Sequence, residues 1–258
     1  MSFLVHIKEL LNRLRTIIMA LVISTIAVMA VPISFDFSNF SAANPYYQTI
    51  TSFTIKNMQE RFLPVDAELL PLSFLAPLEV FVFVSLILGV VISMPVISYE
   101  IYKFLNPALY KHERKMVLQF VASFVGLFIS GFVFGYFYVV PLSMRTIFMF
   151  SNILELPPTY AFSEFFSLVG FALLACGLVF TLPTFIVLLV KAGFLKTESI
   201  TGNRKYLYGF LIIIIAVIDP DPGLVTEALL FLPLVMLTEI SILISKRIEK
   251  ARKESEDL

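Results

Sequence analysis

Charge is scarce in this 258-residue chain: Asp, Glu, Lys and Arg together make up 15% of it, against 59% apolar residues. Cations and anions balance at 19 each, so the net charge points to neither an acidic nor a basic partner. One cysteine, Cys176, cannot form an intrachain disulfide and reads as a small buried packing residue. Tryptophan is absent, and only His6 and His112 could do acid–base work near neutral pH. Catalytic motifs are lacking too. There is no G-x-S-x-G, no phosphate-binding loop, and no pair of carboxylates at the middle of two apolar runs. His112–Glu113 would begin a zinc-binding H-E-x-x-H, but the second His would fall on Met116. Neither an enzyme nor a bound metal or cofactor is expected.

What the chain has is uncharged length. Mean hydropathy is +0.91, far above what a soluble core requires. Uncharged runs cover Thr16–Phe35, Val80–Tyr99, Met116–Met144, Phe165–Val190, Tyr206–Ile218 and Ala228–Ser245, the last interrupted once by Glu239. A run of about 20 residues rises roughly 30 Å as a helix, the thickness of the hydrocarbon core, and satisfies every backbone amide within itself. The sequence therefore predicts an all-α polytopic membrane protein with six transmembrane helices, at about 16–35, 80–99, 116–144, 165–190, 206–218 and 228–245. The fifth run, 13 residues long, reaches only roughly 20 Å, so the bilayer beside the last two helices should be locally thin or wet. No linker, repeat or low-complexity tract divides the chain, which reads as one membrane domain from 1 to 258.

Lys and Arg are distributed unevenly. Sixteen lie before the first run, in the second and fourth connections, or in the tail at 246–258; three lie in the first, third and fifth connections. This asymmetry puts both termini in the cytoplasm. Arg13 and Arg15 precede an apolar run that is longer than a signal-peptide core and lacks an A-x-A site, so it reads as a retained helix. The first external connection, Asp36 to Leu78, carries Tyr47, Ile50, Phe53 and Met58 among polar residues; its spacing fits an interfacial helix and a strand equally well. Residues this apolar favour a cap lying on the outer membrane surface.

Within the runs, Gly131 and Gly135 make a G-x-x-x-G step in the third helix, and Pro141 and Pro183 interrupt the third and fourth. Close helix packing and kinking are their expected contribution. Glu239 is the one charge inside a run. It either reaches the cytoplasmic surface, pairs with a neighbouring helix, or serves an ion-coupled secondary transporter of a small solute, the rival reading for a polytopic chain of this size. The densest polar stretch is cytoplasmic: NPALYKHERK, Asn106 to Lys115. Glu113 there and Glu9 before the first run, with the aromatics Phe104 and Tyr110, would suit a cationic peptide carrying guanidinium groups. Spacing alone favours the plainer alternative, that these carboxylates only balance Arg13, Lys111, Arg114 and Lys115.

Four segments resemble the TatC family, the signal-peptide receptor subunit of the twin-arginine protein translocase. HIKELLNRL (His6 to Leu14) is similar to the family's H-x-x-E-L-R-x-R-L, and FLNPALYKHERK (Phe104 to Lys115) to its F-x-x-P-A-L-Y-x-H-E-[KR]-[KR]. FGYFYVVPLSM (Phe134 to Met144) resembles the segment leaving the third helix, and DPDPGLVTEALLFLPLVMLTEI (Asp219 to Ile240) the last turn and helix. The resemblance implies a core receptor that binds S-R-R-x-F-L-K type signal peptides of folded cargo at its cytoplasmic face. It further implies assembly with small single-span subunits of the TatA/TatB type, oligomerisation, and export driven by the proton-motive force across the plasma membrane. Carried over, Glu9 and Glu113 bind the twin arginines, with Phe104, Pro107, Leu109, Tyr110, Lys111 and His112 as surrounding surface. Pro45 becomes the external-loop proline, and Thr226, Glu227 and Thr181 contact partner subunits. The chain departs from the family at Leu11 (usually Arg), Thr181 (often Glu or Gln), Glu227 (commonly Gln) and in the longer turn DPDPG, where Asp219 and Asp221 are two candidates for the family's one Asp.

Overall fold

A computed structural model of the chain describes residues 3–33, 48–64, 67–105, 114–218 and 223–256. Nearly all of this is helix, because apolar segments in lipid must pair their backbone groups internally. The order is α1 (Phe3–Ala30), α2 (Ile50–Phe62), β1 (Glu68–Leu70), α3 (Ala76–Leu105), α4 (Arg114–Phe134), a π-helical turn (Gly135–Val139) and α5 (Val140–Ile153). Then come β2 (Thr159–Ala161), α6 (Phe162–Lys191), α7 (Thr197–Gly202), α8 (Arg204–Ile218) and α9 (Leu224–Glu256). Among the described residues, five stretches are long and apolar enough to cross a membrane: Ile7–Ala30, Ala76–Phe104, Val117–Ile153, Phe162–Lys191 and Leu224–Lys250. α8, with 15 residues, falls short of that length and rises roughly 22 Å.

The connection between α1 and α3 contains both a helix and a strand, the two elements its spacing allowed. Thr49 caps α2 by accepting the Ser52 N–H at 3.1 Å, and Thr51, Met58 and Phe62 form its buried face. Glu68–Leu70 pairs in parallel with Thr159–Ala161, in the register Glu68↔Thr159, Leu69↔Tyr160 and Leu70↔Ala161. Pro45 and Tyr47 lie outside the described residues.

The chain divides into two compact units, Met1–Ile97 with Ile147–Phe171, and Ser98–Thr146 with Ala172–Leu258. In the first, Gly89 of α3 admits α1 so closely that a Cβ there would stand 2.3 Å from the Thr25 hydroxyl oxygen. Gly170 of α6 likewise receives Ile87 of α3. Polar groups in this core are paired: the Thr51 and Ser85 hydroxyls lie 2.8 Å apart, and Ser85 donates to the Phe81 carbonyl at 2.6 Å.

In the second unit, α4 and α6 meet through small residues. A Cβ on Gly131 would lie 2.6 Å from the Cys176 carbonyl oxygen, one on Gly135 3.0 Å from Cys176 Cβ, and one on Gly177 2.7 Å from the Phe128 ring. Without a hydrophobic force between helices in lipid, such close approach supplies the van der Waals contact that holds them. Val139, Cys176, Phe180, Leu211, Ile215, Leu230 and Leu234 form the adjoining buried cluster.

Prolines sit inside the helices without ending them. Before Pro141 the chain widens into the π turn, where the Val140 N–H reaches the Gly135 carbonyl. The helix then runs on to Ile153, nine residues beyond the uncharged run. Pro183 sits inside the continuous α6. That helix ends in a Schellman motif: Gly193 takes φ 79°, and Phe194 N–H donates to the Leu189 carbonyl at 2.9 Å and Gly193 N–H to the Val190 carbonyl at 3.0 Å.

Candidate functional site

Glu9 lies in the second turn of α1, where the helix places Arg13 one turn further on the same face. The Arg13 guanidinium donates through Nη2 to Glu9 Oε1; the Glu9 side chain is 37% exposed and that of Arg13 11%. One carboxylate is thus held in position by a nearly buried cation and still presents surface to the solvent. Leu10, Leu11 and Leu14 are exposed around it. Leu11 lies at the surface of α1, and the Arg13 guanidinium meets Glu9.

Phe104 is exposed at the end of α3, and beside it Lys103 Nζ lies 5.8 Å from the centre of the Tyr99 ring, one turn earlier. Glu113, Pro107, Leu109, Tyr110, Lys111 and His112 lie outside the described residues, as do Asp219 and Asp221. Sequence reasoning passed over Glu100. It follows directly on the second uncharged run, and it is buried within α3, four residues before Phe104. A buried carboxylate persists only with partners, and Glu100 has them.

Glu239 is tied to the neighbouring helix. Arg204 Nη2 of α8 lies 3.2 Å from Glu239 Oε2, and the Tyr208 hydroxyl donates to Oε1. The carboxylate is therefore engaged by two α8 side chains, the pairing with a neighbouring helix that one of the three readings of Glu239 expects. Thr181 and Thr226 are buried, and the Thr181 hydroxyl donates to the Leu178 carbonyl at 2.6 Å. Glu227 is half-buried in the first turn of α9, between exposed Leu224 and Val225 on one side and the helix body on the other. Among the described residues, no group of three or more His, Cys, Asp or Glu could hold a metal ion.

Residues 5–233 match the protein family described as Sec-independent protein translocase protein (TatC). The chain is 30% identical to the Sec-independent protein translocase protein TatC of Aquifex aeolicus over 251 residues, 96% of each. It is 32% identical to TatCy of Bacillus subtilis over 256 residues, 99% of this chain and 93% of the relative. A crystal structure of the twin-arginine translocase receptor TatC superposes with a TM-score of 0.72 at 29% identity, covering 95% of this chain and 99% of that one. A second, of the same receptor in DDM, gives 0.73 at 28% identity over 93% and 99%. The chain belongs to the TatC family of Sec-independent protein translocase proteins.

Proposed function

We propose that this protein is the core receptor of a twin-arginine translocase, a multi-pass membrane protein that binds twin-arginine signal peptides at its cytoplasmic face. The observation that carries the reading is Glu9: a partly exposed carboxylate preset by Arg13, on the segment that matches the family's N-terminal motif. An incoming guanidinium shares or displaces Arg13, and each charge-assisted bond it gains contributes on the order of 1.5–3 kcal/mol when partly desolvated. Glu113 supplies the second carboxylate. Phe104, Pro107, Leu109, Tyr110, Lys111 and His112 form the surrounding surface, whose own cations repel misregistered peptides.

In this reading the chain is one membrane domain crossing the plasma membrane six times, α8 included, with both termini cytoplasmic. Small single-span subunits dock beside the short α8 and the start of α9. Half-buried Glu227, beside exposed Leu224 and Val225, offers them a contact, while Thr226 and Thr181 shape the helices from within. Cargo crosses folded, driven by the proton-motive force, and the receptor works as an oligomer. No bond in the cargo is made or broken.

The test is site-specific photocrosslinking in membranes between a twin-arginine signal peptide and wild type, Glu9→Ala or Glu113→Ala protein. Crosslinks that fall at least tenfold with either substitution, and with a twin-lysine peptide, are expected. Labelling indifferent to all three changes would reduce the two carboxylates to charge-balancing surface.

A further inference from the structure

The turn between β1 and α3 is apolar where a turn in water would be polar. Pro71, Leu72, Ser73, Phe74 and Leu75 connect the two elements, and from Leu69 to Leu78 there is no charged residue. Phe74 is 98% exposed and Leu72 77%. Water-facing turns are built from Gly, Asn, Asp and Ser, so outward-facing Leu and Phe mark a surface that something else covers.

The turn is also firmly built. The Ser73 hydroxyl accepts the Leu75 N–H at 3.1 Å, the Ser73 carbonyl accepts the Ala76 N–H at 3.2 Å, and Ala76 itself is buried. Ser73 thus caps α3, and the residues on either side of it, Leu72 and Phe74, stand outward. The location names the cover. Ala76 opens one membrane-length stretch and Phe162 another, and each begins within a few residues of the paired strands β1 and β2. The Ser163 hydroxyl donates to Glu79 Oε2 at 3.4 Å, so the two stretches start at one level. Ile153, Leu154 and Leu156, just ahead of β2 in the chain, are exposed as well.

We propose that the Pro71–Leu75 turn is an interfacial anchor, with Phe74 and Leu72 seated in lipid at the boundary between headgroups and acyl chains where α3 begins. Apolar side chains placed there enter the bilayer by roughly 5–10 Å. Lacking a polar tip, a phenylalanine settles on the acyl side of that boundary, where Tyr or Trp would stay nearer the headgroups. The anchor holds the small sheet against the membrane and sets the depth at which α3 and α6 enter it.

The absence of tryptophan makes the test direct, because Phe74→Trp and Leu72→Trp each give a protein with a single indole. The full-length variants are reconstituted into phosphatidylcholine/phosphatidylglycerol vesicles whose acyl chains are brominated either close to the headgroup or near the terminal methyl. Expected for both is blue-shifted emission, at least twofold stronger quenching by the shallow bromines than by the deep ones, and little quenching by aqueous iodide. Water-like emission quenched by iodide and untouched by bromine would overturn the anchor. So would blue-shifted emission that ignores bromine and grows with the protein-to-lipid ratio, which would assign the patch to a second copy of the chain. Burial of Cys176 against a thiol reagent reports folding of each variant, and either variant alone decides the outcome.

Discussion

Two glycines on one helix, five residues apart, should respond in opposite ways to the same methyl group. Gly131→Ala would put Cβ 2.6 Å from the Cys176 carbonyl oxygen and 2.7 Å from Phe180 Cβ, atoms of α6 that cannot swing aside. Either α4 and α6 separate or both deform, at the upper end of the overpacking range, about 3 kcal/mol. Gly126→Ala meets nothing within 4 Å. Both changes gain about 1 kcal/mol of helix propensity. Gly131→Ala should therefore lose about 2 kcal/mol of stability and Gly126→Ala gain about 1, a gap of about 3 kcal/mol. The single buried Cys176 provides the assay. A dye that fluoresces on reacting with a thiol reports unfolding as dodecyl sulfate is titrated into detergent-solubilised protein. If the two variants unfold within about 0.5 kcal/mol of each other, the close approach at Gly131 is not what holds α4 to α6, and the packing argument fails.

Two further outcomes can be checked on the same protein. Glu239→Gln keeps an acceptor for the Tyr208 hydroxyl and removes the charge facing Arg204; with these side chains 31% and 45% exposed, the loss should stay below about 1 kcal/mol in the dye assay. Arg204→Gln should cost the same, and the double variant no more than either single one. A loss several times larger would give Glu239 a task beyond tying α9 to α8. Glu249 accepts both the Thr197 N–H at 3.1 Å and the Thr197 hydroxyl at 2.5 Å, capping α7 from the far end of α9. Glu249→Ala should cost about 1–2 kcal/mol of local stability, so amide exchange across Glu198–Gly202 accelerates roughly tenfold. Unchanged exchange there would mean that α7 is held by its other contacts with α8 and α9.

The placement of Glu9 beside Arg13 was legible because its signal is local. Glu9 and Arg13 are four residues apart, so any helix running through them sets both on one face. Glu239 was harder. Its position inside an apolar run is visible in the sequence, but its partners, Arg204 and Tyr208, are 35 and 31 residues away. Glu100 was missed for a related reason: counting uncharged residues ends a span at the first charge, whereas α3 continues to Leu105 and buries that charge.

By itself the sequence determined the membrane class, the long helices and the shortness of α8, since bilayer thickness and the need to pair every backbone amide leave an uncharged chain no other solution. Tertiary structure decided what depends on chain segments far apart meeting. The parallel pairing of Glu68–Leu70 with Thr159–Ala161 spans some ninety residues and has no counterpart in local periodicity. Which glycines are contact points is of the same kind: Gly126 and Gly131 share one helix, yet only Gly131 has another backbone pressed against it. Propensity and hydropathy act over a few turns, whereas a contact requires two surfaces, and the second belongs to residues the local pattern does not contain.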